Sequence, residues 1–297
     1  MKALLIFNPK AANGRAIKNL KKIQHLLLKK GIDPHIKLTE CRGHGIELVE
    51  KEDLKNYDAV LSAGGDGTLF ETLNGLFRNK SVEKKPPIGI IPIGTGNAFV
   101  RDMNLKTGDF ESAIEIISNG KKKQVDVGKF TTGKETYYYL NIVGLGFVSD
   151  VNGLAHKLKI FGNISYSVAV FIKLIPLHTY RVKLIIDGKE IERENIFVEV
   201  SNSRYTSNFL MAPDAKIDDG YLDITLLNKT TRRRMIAAFP KIFTGEHIKL
   251  PEVETFKAKK LEIITEKNKI LTPDGEMIGT SPVKIECLNK ACEVFWR

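Results

Sequence analysis

The chain has 297 residues with 46 Lys or Arg against 35 Asp or Glu, which gives a formal net charge of +11. Its 42% hydrophobic and 27% charged residues are typical of a globular protein and exclude wholesale disorder. The three cysteines, Cys41, Cys287 and Cys292, are too few and too scattered for a disulfide framework or a zinc knuckle, so we expect free thiols in a reducing cytosol.

The N-terminal apolar run, Ala3–Phe7, is too short for the core of a signal peptide. The uncharged stretch Ile160–Ile172 is shorter than the roughly 20 residues that a spanning helix needs. We therefore expect a soluble cytoplasmic protein. A basic charge is typical of proteins with anionic partners such as nucleic acid, anionic lipid or nucleotide, and equally of a Lys-rich solubilising surface.

The first 128 residues alternate between short apolar runs and segments of helical periodicity. Strands are expected at Ala3–Phe7, Ile36–Thr39, Ala59–Ala63 and Ile88–Pro92, and helices around Leu20–Leu27, Ile46–Leu54, Thr68–Phe77 and Thr107–Asn119. This βαβα order predicts an α/β domain with a mostly parallel sheet and helices on both faces.

The pattern changes after Gly128, where short strand-like runs dominate. They are Tyr137–Val143, Arg181–Ile186, Ile196–Val200, Leu222–Leu227, Leu261–Thr265 and Val283–Cys287. We expect an antiparallel β-sandwich over 129–289, interrupted by helical segments at Asn152–Leu177 and Thr231–Phe243. The first domain then spans 1–128, with the apolar end at 290–297 docking back on it.

Two glycine-rich turns follow predicted strands and precede helices. They are Gly64–Thr68 and Pro92–Asn97, and Asn8–Gly14 is a third candidate. Turns at the carboxyl ends of parallel strands face one crevice, where amide N–H groups favour phosphate. Asp66 would repel phosphate unless Mg²⁺ bridges them. Taken alone, Gly64–Thr68 is as compatible with a tight strand-to-helix turn as with a phosphate-binding turn. The sequence motifs of P-loop proteins and of dinucleotide-binding folds are absent.

Acidic residues cluster twice in the second half of the chain. Pro213–Tyr221 is either a divalent-cation site or an Asp-Gly hairpin turn. Asp274-Gly275-Glu276 is either a hairpin tip or a pair of carboxylates presented to a cleft. Asp126, at the end of the first domain's last strand, is a further acid near the domain boundary.

These motifs together resemble the diacylglycerol kinase catalytic family, which includes bacterial lipid kinases and sphingosine- and ceramide-kinase relatives. The resemblance covers nearly the whole chain. Its most specific elements are Gly64–Thr68 continuing to Glu71 and Asn74-Gly75, Pro92–Asn97, Val125–Gly128, Ala212–Gly220 and Asp274–Glu276. It implies a two-domain architecture, like that of lipid kinases and NAD kinases, with ATP between the domains.

The resemblance also assigns roles to residues. The implied nucleotide site consists of Asn8, Thr39, Gly64, Gly65, Asp66, Gly67, Thr68, Glu71, Gly94, Thr95 and Asn97. The implied general base is Asp274, with Glu276 beside it as the alternative and Asp66 as a further catalytic residue. The implied Mg²⁺ ligands are the Lys216 carbonyl, Asp219 and the Tyr221 carbonyl, joined through water to Asp66 and Asp126. Ala98 departs from the bacterial pattern, because many members have Asp after the Asn.

The leading hypothesis is an ATP-dependent lipid kinase that uses Mg²⁺. The alternatives are a kinase of a soluble substrate such as NAD, since the GGDG sequence is shared, and a non-catalytic nucleotide or anionic-lipid binder. We expect a lipid substrate at the inner face of the membrane, visited transiently, and no nucleic acid. The basic helix at 231–243 and the segment at 152–177 are the candidates for membrane or acyl-chain contact. The identity of the lipid and the oligomeric state, a homodimer included, stay open.

Overall fold

The computed structural model describes residues 1–157, 168–169, 172–173 and 177–297. These residues form two units, Met1–Val127 with Lys290–Arg297, and Gly128–Asn289. The predicted helical segment Asn152–Leu177 lies largely outside the described residues, although helix α6 (Phe147–Lys157) overlaps its start. In the described part of the chain, no helix is both long and apolar enough to cross a bilayer.

The N-terminal unit is built on a parallel sheet, as predicted. Its strands are β1 (Lys2–Phe7), β2 (Asp33–Leu38), β3 (Ala59–Gly64) and β4 (Ile88–Pro92), in the order β2-β1-β3-β4. Its helices are α1 (Leu20–Lys29), α2 (His44–Glu50), α3 (Asp66–Arg78), α4 (Phe99–Asp102) and α5 (Phe110–Asn119), with 3-10 turns at Ala16–Asn19 and Leu54–Asn56. The central strands are buried along their whole apolar runs, since helices cover both faces of a parallel sheet.

Two helix boundaries differ from the sequence prediction for local reasons. Helix α3 begins at Asp66 rather than Thr68, so the GGDG sequence supplies the first helical residues as well as the turn. Helix α5 begins at Phe110 rather than Thr107, because the Asp109 side chain accepts a hydrogen bond from the Ser112 N–H and caps the helix.

The C-terminal unit is antiparallel, also as predicted. Its strands are β5 (Lys122–Thr132), β6 (Glu135–Tyr139), β7 (Ile142–Gly146), β8 (Tyr180–Ile186), β9 (Lys189–Ser201), β10 (Tyr205–Thr206), β11 (Phe209–Leu210), β12 (Leu222–Asn228), β13 (Val253–Ala258), β14 (Lys260–Thr265), β15 (Leu271–Pro273) and β16 (Val283–Phe295). The first part of β5 and the last part of β16 belong to the N-terminal unit. The main order is β13-β12-β9-β8-β14-β16, with β7 pairing β9 and β15. Helix α7 (Arg232–Ala238) continues into 3-10 turns at Phe239–Ile242 and Glu246–Lys249.

The predicted strand Tyr137–Val143 is two strands, β6 and β7. Leu140 and Asn141 leave the ladder between them, and the Asn141 N–H donates to the Asp274 carboxylate instead. The chain leaves the N-terminal unit along β5 and returns along β16, whose Val294 pairs in parallel with Ile88 of β4. The last eight residues therefore belong to the N-terminal unit.

The turns after β3 and β4 pack backbone against backbone. A Cβ added at Gly94 would lie 2.4 Å from the Gly65 Cα, far inside van der Waals contact. A Cβ added at Gly64 would lie 2.2 Å from the Thr68 Oγ1. Gly65 is different, because a Cβ there meets only the Gly94 Cα, at an ordinary 3.6 Å. Glycine is thus required at positions 64 and 94 for close approach rather than for a left-handed conformation.

This packing gives a matched pair of substitutions. We expect Gly94→Ala to lower the free energy of unfolding by about 2 kcal/mol or more, because neither backbone can move aside without breaking the sheet edge. Gly65→Ala should lower it by less than about 1 kcal/mol. Urea unfolding monitored by circular dichroism measures both. Equal stability losses in the two variants would contradict the packing argument.

Candidate functional site

Four loops meet at the carboxyl edge of the parallel sheet, one after each of β1, β2, β3 and β4. The Asn8 amide donates to the Thr68 hydroxyl (3.1 Å), and the Thr39 N–H donates to the Phe7 carbonyl (2.9 Å). The Asn97 amide donates to the Gly64 carbonyl (2.9 Å). The structure therefore brings together the predicted nucleotide-site residues that follow the four strands.

These residues divide into buried supports and accessible groups. Thr68 and Asn97 are buried and hydrogen-bonded, so they hold the turns in place. Gly65 and Gly67 keep partial access to solvent, and Thr95 is exposed. The first amides of α3 have no partner within the helix, and a helix of 13 residues presents a positive dipole end there. This edge of the sheet can accept an anionic group such as a phosphate.

Asp66, the first residue of α3, keeps its carboxyl group close to the β4 turn. Its Oδ1 accepts a hydrogen bond from the Ala98 N–H at 2.7 Å. Burial of the carboxyl raises the pKa of Asp66 to about 6, against the opposing effects of the Ala98 N–H and the Arg101 charge. Asp66 is therefore ionised at neutral pH and becomes protonated below about pH 6. Ala98 contributes through its backbone, so the departure from Asp at position 98 leaves this contact intact.

Glu71 supports a neighbouring loop. Its carboxylate accepts hydrogen bonds from the Gly43 N–H (2.6 Å) and the Gly45 N–H (2.9 Å), at the start of helix α2. The Lys10 ammonium donates to the Glu40 carbonyl at 2.6 Å and joins the same loop to the one after β1. A direct contact of Glu71 with a nucleotide stays a prediction. Its two hydrogen bonds to Gly43 and Gly45 position the loop after β2.

Asp126 is fully buried in the N-terminal unit. Its Oδ1 accepts a hydrogen bond from the Lys290 N–H at 2.6 Å. This bond fixes the returning strand β16 beside β5, which gives Asp126 a structural role. The predicted water-mediated link from Asp126 to a metal ion stays a prediction.

Asp274 directly follows β15 in the C-terminal unit. Its Oδ1 accepts hydrogen bonds from the Ile142 N–H (2.9 Å) and the Asn141 N–H (3.2 Å). Asp274 and Gly275 both have positive φ, 45° and 83°, as in a tight hairpin turn. Glu276 is half-buried after that turn. The two interpretations of this sequence are thus compatible, because the hairpin tip also fixes a carboxylate.

The acidic turn before β12 holds an ion pair. The Asp219 carboxylate accepts hydrogen bonds from the Tyr221 N–H (3.1 Å) and the Lys257 ammonium (2.8 Å), and Lys257 also lies 3.4 Å from Asp223. Lys216 and Tyr221 are exposed. No group of three or more His, Cys, Asp or Glu suited to a metal occurs among the residues described. Lys257 thus neutralises Asp219 in this structure, and the Mg²⁺ ligand set stays a prediction.

The C-terminal unit contains a cavity of about 100 Å³ with mostly apolar walls. It is lined by residues that include Phe147, Val151, Phe197, Phe209, Met235 and Phe239. The segment predicted as a helix at 231–243 has an apolar stripe, and its residues Met235, Ala238, Phe239 and Ile242 line this cavity. Phe243, the last residue of that stripe, is 46% exposed.

Sequence reasoning missed residues that act through their backbone or from within a strand. The Ala98 N–H leaves no signal in the sequence, because any residue but proline supplies it. Glu199 did leave a signal. It is a single Glu inside the otherwise apolar run Ile196–Val200, it lines the cavity, and it is buried.

Two family models match the chain. A model described as the diacylglycerol kinase catalytic domain matches residues 2–130. A model described as the YegS C-terminal NAD kinase beta sandwich-like domain matches residues 141–296. The two matches together cover both units of the structure.

Relatives and solved structures agree with these matches. A diacylglycerol kinase of Staphylococcus saprophyticus is 30% identical over 99% of this chain and 95% of that protein. One of Bacillus subtilis is 28% identical over 95% of this chain and 91% of that protein. A crystal structure of a diacylglycerol kinase from Bacillus anthracis has a TM-score of 0.74 and 27% identity, covering 100% of this chain and 97% of that one. The chain therefore belongs to the diacylglycerol kinase family, whose members are phosphotransferases with an alcohol as acceptor.

Proposed function

We propose that the chain transfers the γ-phosphoryl group of ATP, with Mg²⁺, to the hydroxyl group of a membrane lipid, diacylglycerol or a related lipid alcohol. The observation that carries this proposal is the apolar cavity of the C-terminal unit. Hydrocarbon buried in such a cavity gains about 0.8 kcal/mol per methylene group. A soluble substrate such as NAD has no comparable apolar chain, so the cavity favours the lipid over the NAD alternative.

The N-terminal unit supplies the groups that bind an anion. The amides at the start of α3, together with the accessible backbone of Gly65 and Gly67, would bind the phosphates of ATP. Mg²⁺ bound with ATP would neutralise negative charge on the phosphates, and the Asp66 carboxylate at the helix start is the acid that would help to hold it. At neutral pH Asp66 carries the negative charge that this role requires.

Asp274 is the proposed general base. Its Oδ1 is fixed by two backbone N–H groups, so the carboxylate keeps one orientation while a substrate binds. A fixed carboxylate can accept the proton of a lipid hydroxyl as that oxygen attacks the phosphoryl group. Phosphoryl transfer depends mainly on positioning, which these bonds supply.

Helix α7 is the proposed membrane contact. Arg232 and Arg233 at its start are exposed, Arg234 has an ion-pair contact with Glu252 at 3.6 Å, and Ile236 is 49% exposed. Exposed apolar and basic side chains on one short segment are typical of a surface that contacts anionic lipid. Because the opposite side of this segment lines the cavity, membrane contact would bring lipid close to it.

The direct test of the function is phosphoryl transfer from radiolabelled ATP. We expect a labelled lipid product when the protein is incubated with ATP, Mg²⁺ and a total lipid extract, and no labelled product with NAD. Chromatography of the product identifies the lipid. Labelled NADP without a labelled lipid would favour the soluble-substrate kinase, and nucleotide binding without any transfer would favour the non-catalytic binder.

The base assignment is tested by two neighbouring substitutions. We expect Asp274→Asn to lower turnover at least about 100-fold, because general base catalysis is worth that much and Asn cannot take the proton. Its amide oxygen can still accept the Asn141 and Ile142 N–H groups, so the melting temperature should hold. Glu276→Gln is the matched control and should lower turnover less than about tenfold. The opposite ranking would transfer the assignment to Glu276.

The membrane contact is tested by vesicle pelleting. Each basic residue near an anionic surface contributes about 1 kcal/mol, so changing Arg232, Arg233 and Arg234 to Gln should weaken binding to phosphatidylglycerol vesicles by roughly 100-fold. The same change in charge at Lys18, Lys21 and Lys29, which are exposed in the N-terminal unit, is the control. Equal losses in both variants would mean that net charge alone directs binding.

A further inference from the structure

One wall of the apolar cavity contains a carboxyl group. Glu199 lies on β9, lines the cavity together with Phe197 two residues earlier, and is 1% exposed. The Thr206 hydroxyl donates a hydrogen bond to the Glu199 Oε1 at 2.6 Å. In the described part of the chain, the Thr206 hydroxyl is the only hydrogen-bond donor to the Glu199 carboxyl group.

The other titratable residues of the cavity, His247 and Glu252, supply no positive charge to balance the Glu199 carboxylate. Burial lowers the pKa of His247, and its Nε2 bonds to the Met211 carbonyl, so this ring is neutral. Glu252 is itself an acid and lies beside Arg234. Burial raises the pKa of Glu199 to about 7, in opposition to the Thr206 hydrogen bond. Glu199 is thus only partly ionised at neutral pH, and its ionised form is a strong hydrogen-bond acceptor with a single protein donor among the residues described, the Thr206 hydroxyl.

A carboxyl group in this position stabilises the fold poorly. Burying it away from water is unfavourable unless it is hydrogen-bonded, and an apolar side chain would complete the wall at no such cost. A ligand that brings a donor to the wall would recover the lost hydrogen bonding. A ligand with only hydrocarbon and ester groups brings acceptors, which leave the ionised carboxylate unsatisfied.

We propose that Glu199 is a specificity determinant of this cavity, which selects lipids carrying a hydrogen-bond donor, an amide N–H or a hydroxyl, along the buried chain over lipids with ester linkages alone. The inference rests on the proposed function, because it assigns the substrate class of the same cavity. It predicts that acylated amino alcohols and hydroxylated acyl chains bind better than their ester and unsubstituted counterparts.

The test is an equilibrium binding measurement that needs no phosphoryl transfer. A fluorescent fatty-acyl probe is displaced from the unsubstituted protein by two matched lipid pairs. The first pair is N-oleoylserinol and 2-oleoylglycerol, which differ by N–H in place of one oxygen. The second is 2-ricinoleoylglycerol and 2-oleoylglycerol, which differ by one chain hydroxyl. At about pH 8, where the carboxylate form of Glu199 predominates, we expect the donor-bearing lipid of at least one pair to bind roughly tenfold more tightly, as for a hydrogen bond to a charged group.

Three variants separate specificity from stability. Glu199→Leu should bring that ratio close to one and tighten binding of 2-oleoylglycerol. Glu199→Gln, which keeps the shape, should reduce the ratio. Thr230→Val, which changes another polar cavity residue, is the control and should leave the ratio unchanged.

Melting curves recorded at several pH values show whether the variants are folded. The raised pKa of Glu199 means that the folded protein loses stability as pH rises from about 4.5 to about 7, where Glu199 ionises. The melting temperature should therefore fall less over this range in Glu199→Leu than in the unsubstituted protein.

Each outcome of the binding experiment decides the inference. Equal binding within both pairs, a ratio that survives Glu199→Leu, or failure of the probe and lipids to bind would overturn it. A Glu199-dependent ratio without phosphorylation of any lipid would support it while removing the kinase proposal. Phosphorylation of lipids without a Glu199-dependent ratio would do the reverse.

Discussion

The Gly64 carbonyl oxygen receives three hydrogen bonds, from the Ile93 N–H (3.1 Å), the Gly94 N–H (2.8 Å) and the Asn97 amide (2.9 Å). These bonds join the turn after β3 to the turn after β4, and the absence of side chains at positions 64 and 94 lets the two backbones meet. The start of α3, its amides and the Asp66 carboxyl group take their places from this junction. The carboxyl edge of the parallel sheet between β3 and β4 therefore depends on backbone contacts more than on any polar side chain.

Much of the architecture could be predicted because it follows from local periodicity. Apolar runs such as Ala59–Ala63 predict buried parallel strands, and the stripe from Met235 to Ile242 predicts a packed helical face. The split between β6 and β7 could not be predicted, because it depends on Asp274, far away in sequence. Glu71 could be named as a site residue, but its bonds to Gly43 and Gly45 depend on tertiary packing. The ion pair between Lys257 and Asp219 could not be predicted from the sequence either, because it depends on the register between β12 and β13.

The C-terminal unit combines two properties that oppose each other. Its cavity is apolar enough to favour a hydrocarbon chain, yet it buries the Glu199 carboxyl group in one wall. Membership in the family implies an alcohol acceptor but leaves the rest of the lipid undefined. If this cavity binds the lipid as proposed, the chemistry of its wall, and not the glycine turns, selects among lipid alcohols.

The N-terminal unit includes residues from both ends of the chain. Val294 pairs with Ile88, the Trp296 N–H donates to the Lys121 carbonyl, and the Trp296 ring packs edge-on against Phe99. During synthesis on the ribosome, the edge of β4 that pairs with β16 remains unpaired until the whole C-terminal unit has been translated. A fragment ending at Val127 would lack these contacts and expose that edge, so the N-terminal unit is not an independent module that could be separated or exchanged by a single cut.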